Sequence, residues 1–335
     1  MTHIEALSIP QPLLFAIGDS RASGEAVSRH LGMPLASHEE RDFEDGEHKI
    51  RSLVNVRGRD VYVLANLAGD ARQSANDRLC RLLFFIAALK DAGAGRVSAV
   101  APYLCYSRKD RQTKSRDPVT TRYIAQLFEA VGADHVITME AHNLAAFQNA
   151  FRCDTDHLNA ELLFARHFAE IIGDEPVAVV SPDVGGVKRA EQFRGRFEAM
   201  LGRPVGKAFM DKQRSMGKVT GDIFAGDVAG QSVIILDDLI STGTTMARVA
   251  AVCRERGARK IHLAATHGLF SGGAPAIVDE PSVTSLVVTD SVSPLRIDAA
   301  RFGNRLVVLS VAGLLAEAIA RSHTGGSIVE LLDAP

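Results

Sequence analysis

The stretch Val233-Ile-Ile-Leu-Asp237-Asp238-Leu-Ile-Ser241-Thr242-Gly243-Thr244-Thr245 constrains the fold more than any other segment. Four apolar residues predict a buried strand, and two carboxylates follow at its end. A small, hydroxyl-rich loop then opens an apolar-periodic segment near Met246. In open α/β sheets ligands sit where strands end and helices begin, because backbone N–H groups and the helix dipole there favour phosphate. Ser241, Thr242, Thr244 and Thr245 add hydroxyl donors, Gly243 permits close backbone approach, and Asp237 and Asp238 can hold ribose hydroxyls or a metal. The competing reading is a capped helix after a core strand, but paired acids at a buried strand end are costly without a role.

Strand-like and helical runs alternate through both halves of the chain. Strands are expected at residues 13–17, 61–64, 97–100 and 135–138, then at 177–180, 205–209, 233–236, 261–265, 286–288 and 306–309. Helices are expected near 23–31, 76–90, 120–131, 160–172, 244–256 and 311–321, with a start at Asn76-Asp77 and stops at Gly132 and Gly257. Short β-rich runs separated by helices predict parallel sheets in an α/β fold. A length of 335 residues suits two domains.

Composition excludes several function classes. With 46% hydrophobic residues, 23% charged residues and a net charge of −2, the chain is not expected to bind nucleic acid or an anionic membrane. Four scattered cysteines, with no C-x-x-C pair, suit a reduced, cytoplasmic protein without a disulfide framework or zinc site. Residues 13–17 are too short for a signal-peptide core, and the longest apolar run, 82–89, is too short to span a bilayer. That run is expected on a helix that is buried or at a subunit contact.

Neither a Walker A sequence nor a G-x-G-x-x-G turn is present, so any nucleotide must be held by other means. Five further segments carry chemistry. Phe43-Glu44-Asp45-Gly46-Glu47 offers an aromatic face for a purine and carboxylates for its amine or ribose, or else a polar hairpin turn at Asp45-Gly46. Arg108, Lys109, Arg111, Lys114 and Arg116 follow the 97–100 strand and suit a polyphosphate, form a solvated basic loop, or contact RNA, the strand-end position favouring polyphosphate. Thr138-Met-Glu140-Ala-His142-Asn143 follows the next strand and can meet a metal or phosphates, or carries a histidine that is structural or simply exposed. Ser181-Pro-Asp183-Val-Gly185-Gly186-Val-Lys188-Arg189 places Asp183 where Mg²⁺ or a ribose hydroxyl could lie, or is a plain strand-to-helix turn. Met210-Asp-Lys212-Gln-Arg214-Ser-Met-Gly217-Lys218 predicts a cationic loop able to close over an anionic substrate.

Residues 237–245 resemble the ribose-5-phosphate loop of phosphoribosyltransferases and phosphoribosyl pyrophosphate synthetases, reading Asp-Asp-x-x-x-Thr-Gly-x-Thr. Taken together in order and spacing, all six segments resemble the phosphoribosyl pyrophosphate synthetase (ribose-phosphate diphosphokinase) family. So do Gly132-Ala-Asp-His-Val-Ile-Thr-Met, Thr266-His-Gly268-Leu-Phe-Ser-Gly272 and Leu315-Ala-Glu-Ala-Ile-Ala-Arg321.

The resemblance implies two phosphoribosyltransferase-like domains, each a mainly parallel sheet flanked by helices. Residues 1–155 form the ATP side, joined by a C-terminal helix in 311–335, and residues 156–310 form the ribose 5-phosphate side. It implies Mg²⁺-dependent transfer of the β,γ-diphosphoryl group of ATP to the anomeric hydroxyl of ribose 5-phosphate. Phe43, Asp45 and Glu47 would hold adenine and ribose in an ATP site shared within a homo-oligomer. Arg108, Lys109 and His142 would contact the phosphates, and His142 and Asp183 would organise the metal. Asp237 and Asp238 would hold the ribose and a second metal, Ser241, Thr242, Gly243, Thr244 and Thr245 would cradle the 5-phosphate, and Lys212 and Arg214 would close over the site.

The chain departs from many members at four positions: Lys109 replaces Gln, Glu140 replaces Asp, Ser241 replaces Asp and Thr244 replaces Gly. These departures bear on nucleotide preference and regulation, and Lys109 would add a cation for phosphate. Two other readings share the motifs: a phosphoribosyltransferase consuming phosphoribosyl pyrophosphate, and a non-catalytic regulatory homologue of the synthetase.

Overall fold

The structure, a computed structural model, describes the backbone of residues 11–215 and 218–333, and their side chains apart from residues 212–222. The described chain forms two compact units, residues 11–158 with 311–333, and residues 159–310.

The first unit opens with β1 (Leu13–Ala16), α1 (Arg21–Leu31), β2 (His38–Asp42), β3 (His48–Ser52), β4 (Asp60–Leu64) and α2 (Ala75–Asp91). It continues through β5 (Arg96–Ala101), α3 (Thr120–Ala130), β6 (His135–Met139), α4 (Leu144–Ala150) and β7 (Asp154–Leu158). The sheet order is β1-β4-β5-β6-β7, and every pairing is parallel. Apolar strand runs explain this arrangement, since parallel strands are covered on both faces. Phe15, Val63, Ala99 and Val136 meet Phe85, Ile86 and Phe128 from the helices in one core. The 82–89 run lies on α2, where Leu82, Leu83, Phe85, Ile86 and Leu89 are buried while Phe84 is exposed.

Helix α2 begins at Ala75, one residue before its expected start, and its cap lies at Ser74 rather than at Asn76-Asp77. Ser74 is its cap, accepting from Asp77 N at 3.2 Å while Asp77 Oδ2 accepts from Ser74 N at 2.7 Å. Asp77 thus closes a capping box from inside the helix. Gly132 and Gly257 stop α3 and the later helix near 244–255 as expected, with φ of 84° and 85°.

The second unit contains α5 (Glu161–Ile172), β8 (Val177–Ser181), α6 (Val187–Leu201), β9 (Gly206–Ser215), β10 (Lys218–Gly226), β11 (Ser232–Ile240) and α7 (Thr244–Glu255). It closes with β12 (Lys260–Gly268), α8 (Pro275–Val278), β13 (Ser285–Thr289), α9 (Ala299–Phe302) and β14 (Leu306–Leu309). Its sheet runs β10-β9-β8-β11-β12-β13-β14, parallel except for the β9–β10 pair. Val180, Met210, Ile235, Val249, Leu263 and Val288 anchor its core. The expected loop at 210–218 is corrected for residues 210–215, which continue β9, and for Lys218, which opens its antiparallel partner β10, while residues 216 and 217 lie outside the described residues.

The last helices, α10 (Ala312–Thr324) and α11 (Ile328–Asp333), belong to the first unit. Helix α10 packs on α1 and meets the sheet through a polar cluster. Arg96 donates to the Ser322 carbonyl at 3.1 Å and to Ser322 Oγ at 2.9 Å, and its Nη2 lies 3.0 Å from His135 Nδ1. His135 Nε2 is 3.0 Å from Asp156 Oδ2. No described helix is long and apolar enough to cross a membrane.

Candidate functional site

In the second unit, β11 delivers Asp237 and Asp238 to the edge where β8 also ends. Asp238 is 2% exposed, and Asp237 Oδ1 accepts the Asp238 backbone N–H at 2.9 Å. Arg189 reaches from α6 to both acids, at 3.3 Å to Asp237 and 3.5 Å to Asp238. Burial above all, then the neighbouring Asp238, pushes the Asp237 carboxyl well above the usual carboxylate range, against the pull of Arg189. The pair is therefore an acceptor site for hydroxyl groups, with one cation offsetting its charge.

Residues 241–243 then turn into α7. Gly243 has φ 79°, and a Cβ there would stand 2.5 Å from Ile277 Cγ1, so both conformation and space require glycine. Helix α7 has no side-chain cap, leaving its first N–H groups free to meet an anion. Thr242 and Thr244 place their hydroxyls 3.2 Å apart at this end. Ser241 Oγ donates to Ser271 Oγ at 3.1 Å, and the segment carrying Ser271 holds Phe270 and Ala274 at φ 44° and 45°. Such left-handed conformations in non-glycine residues persist only where the surroundings enforce them, as they do beside this loop.

At the end of β8, Asp183 Oδ1 accepts Gly186 N at 3.1 Å and Ser181 Oγ donates to the Asp183 carbonyl at 2.7 Å. The segment is a single 3-10 turn leading into α6. Thus Asp183, Asp237, Asp238 and residues 241–245 gather at one end of two adjacent strands. Lys212 and Arg214 have their backbone on β9, opposite Asp222 and Val219, and their side chains lie outside the described residues.

In the first unit the basic segment follows β5 and the His142 segment follows the neighbouring β6. Asn143 Nδ2 donates to Asp110 Oδ2 at 2.6 Å, tying the two together. Arg108 and His142 are exposed, whereas Lys109 Nζ pairs with Asp117 Oδ2 at 2.8 Å. Glu140 is buried, with φ 40°. Phe43, Asp45 and Glu47 form the turn between β2 and β3, where Gly46 N donates to the Phe43 carbonyl at 3.1 Å and Glu47 N to Asp45 Oδ1 at 3.0 Å. This is the polar hairpin turn. Its Phe43 ring is 40% exposed and has the Arg41 guanidinium 5.1 Å from its centroid.

Residues 13–132 match the N-terminal domain of ribose phosphate pyrophosphokinase, and residues 209–333 match the phosphoribosyl synthetase-associated domain. Ribose-phosphate pyrophosphokinase 1 of Listeria monocytogenes is 34% identical over 325 residues, covering 97% of this chain and 98% of that protein. The chain belongs to the ribose-phosphate pyrophosphokinase family. The Agrobacterium fabrum ribose-phosphate pyrophosphokinase is 35% identical over 96% of this chain and 99% of its own length. The crystal structure of phosphoribosylpyrophosphate synthetase from Mycobacterium smegmatis superposes with a TM-score of 0.84 at 32% identity, covering 94% of this chain and all of that one. Its likeness extends to the helix-flanked parallel sheets described above.

Within this pyrophosphokinase scaffold, three residues acquire contacts that the sequence left without a role. Arg189 offsets the Asp237–Asp238 pair, Asp117 binds Lys109, and Ser271 braces Ser241. Each contact joins segments that only folding brings together, except Lys109 and Asp117, whose opposite charges eight residues apart were a local signal. No group of three or more His, Cys, Asp or Glu among the described residues forms a ready-made metal cage. The half-buried Asp183 carboxylate suits Mg²⁺, which is usually held by one or two carboxylates together with substrate phosphates and water.

Proposed function

We propose that this chain makes 5-phosphoribosyl 1-pyrophosphate by transferring the β,γ-diphosphoryl group of ATP to the anomeric hydroxyl of ribose 5-phosphate, releasing AMP. One observation carries the reading: the uncapped start of α7 lies directly behind a hydroxyl-rich turn and an acid pair in which Asp238 is buried and Asp237 partly so. The free N–H groups with Ser241, Thr242, Gly243, Thr244 and Thr245 take the 5-phosphate. Asp237 and Asp238 take ribose hydroxyls. Arg108 and His142 serve the phosphates of ATP from the loops that follow β5 and β6, with Lys109 in the first of these loops, and Phe43, Asp45 and Glu47 serve its adenosine within a homo-oligomer.

Asp183 offers a carboxylate oxygen to Mg²⁺, with His142 as the second proposed metal residue. The bound ion would neutralise phosphate oxygens. Lys212 and Arg214 stabilise charge as the diphosphoryl group passes, since phosphoryl transfer depends on alignment and neutralisation more than covalent help. A cytoplasmic location fits the absence of any membrane-spanning helix among the described residues.

Purified protein incubated with ribose 5-phosphate, ATP and Mg²⁺ tests the proposal, with products separated by anion-exchange chromatography. AMP and phosphoribosyl pyrophosphate should appear in equal amounts. Absence of both, with other nucleotides tried and inorganic phosphate added, would overturn it in favour of a non-catalytic homologue. Consumption of phosphoribosyl pyrophosphate with a purine base would favour the transferase reading.

A further inference from the structure

The basic segment after β5 contains one cation that does not face outward. Lys109 Nζ reaches Asp117 Oδ2 at 2.8 Å, and the same oxygen accepts from Thr113 Oγ1 at 2.6 Å, Lys114 N at 3.0 Å and Thr113 N at 3.3 Å. A single carboxylate oxygen thereby ties together residues 109, 113, 114 and 117. The Lys109 backbone is fixed as well: its N–H donates to the Tyr106 carbonyl, and its carbonyl accepts from Thr121 N and Thr121 Oγ1. The loop is anchored at its entry and at the first residues of α3. Asp110, its other acid, is taken by Asn143. The side chains of Arg108, Arg111, Lys114 and Arg116 remain exposed, with no hydrogen-bond or ion-pair partner among the described residues.

We propose that Lys109 is a positioning residue rather than a phosphate ligand: with Asp117 it closes the loop into a latch that presents the other four cations to the polyphosphate of a nucleoside triphosphate. The assignment of that ligand rests on the function proposed above. The physical reason is local. An ammonium already held by a carboxylate contributes little net charge to an incoming anion, whereas a loop fixed in advance lowers the ordering cost of binding it. Repulsion among like charges favours a spread loop, so the latch opposes that spreading and keeps the four cations together.

The two roles predict opposite signs. Released from Asp117, a ligand lysine would bind phosphate better, so Asp117→Asn would lower KM for ATP. With a latch, Asp117→Asn and Lys109→Met both raise it, by about five- to tenfold, while kcat stays within about twofold. The double variant should be no worse than either single one, because both remove the same contact, and Lys109→Arg should retain most of the wild-type KM.

The experiment is that set of full-length variants, assayed for KM and kcat and, separately, for binding of inorganic tripolyphosphate by titration calorimetry. Limited trypsin digestion supplies a readout independent of turnover: Asp117→Asn leaves every basic cleavage site intact and should speed cutting within residues 108–116 about tenfold. A lower KM or tighter tripolyphosphate binding in Asp117→Asn, additive effects in the double variant, or unchanged digestion would overturn the latch. If the wild type lacked diphosphokinase turnover, the proposed function would fail, but calorimetry and digestion would still decide the latch.

Discussion

His323 Nδ1 lies 2.7 Å from Asp60 Oδ2, although 263 residues separate them. The contact pins the end of α10 to the start of β4, beside the Arg96–Ser322 bonds. Arg96→Ala would leave Asp60, His135 and Ser322 without their shared donor, and a buried polar group stripped of its partner costs about 1–3 kcal/mol. Urea unfolding followed by circular dichroism should show a loss in that range. A midpoint equal to wild type would mean that apolar packing of α10 on α1 alone holds the segment.

Gly243→Ala should damage the site while sparing the fold. A non-glycine residue at φ 79° carries roughly 1–3 kcal/mol of strain, and the added methyl group meets Ile277. We expect kcat/KM for ribose 5-phosphate to fall at least about tenfold, with the thermal midpoint lowered by about 2–4 °C for each kcal/mol of strain but the folded state retained. Adding Ile277→Ala should relieve the collision but not the backbone strain, so recovery should be partial. Full activity in Gly243→Ala would remove this turn from the site.

Lys212→Ala and Arg214→Ala should each lower kcat by about 10²–10³, with smaller changes in KM, as expected when a fixed partner of developing charge is lost. Steady-state kinetics on both variants checks this. Turnover at the wild-type rate in either one would exclude that residue from the chemical step.

Acid should weaken the second unit through His262. Its ring is buried with Nδ1 2.8 Å from Ser285 Oγ, and burial, aided by Lys260, holds its pKa down to about 4 against an ordinary 6.5. As pH falls through 6.5 the unfolded chain takes up a proton that the folded chain refuses until about pH 4. Stability is therefore lost across that window, by about 2 kcal/mol at about pH 5 relative to neutrality. Denaturant midpoints for wild type and His262→Gln at the two pH values test it. The variant should show the shallower pH dependence, and parallel curves would contradict the assignment.

The buried parallel strands and the tight turn into α7 were legible in sequence because continuous apolar runs and Gly243 each admit few alternatives. Strands β2, β3 and β7 were not. His-Glu-Glu-Arg-Asp, His-Lys-Ile-Arg-Ser and Asp-Thr-Asp-His-Leu carry charge on both faces and bury only Ile50 and Leu158. Their pairing comes from a tight turn or a neighbouring strand rather than from burial. Strand β9 outran its apolar portion for the same reason, because its antiparallel partner supplies the ladder through a cationic stretch. Within the site the acids and hydroxyls were readable. Arg189 was not, because its importance depends on β8 lying beside β11, a neighbourhood created only by sheet order.

The chain leaves the first unit after Leu158 and re-enters it at Val311. During synthesis, the strands of the second unit emerge as one continuous block and pair only with one another. That block can close its core while the final helices are still within the ribosome. The first unit emerges earlier yet finishes later, for Arg96 and Asp60 must wait for Ser322 and His323. A nascent chain stalled shortly before Val311 would thus leave the α10-facing side of α1 uncovered.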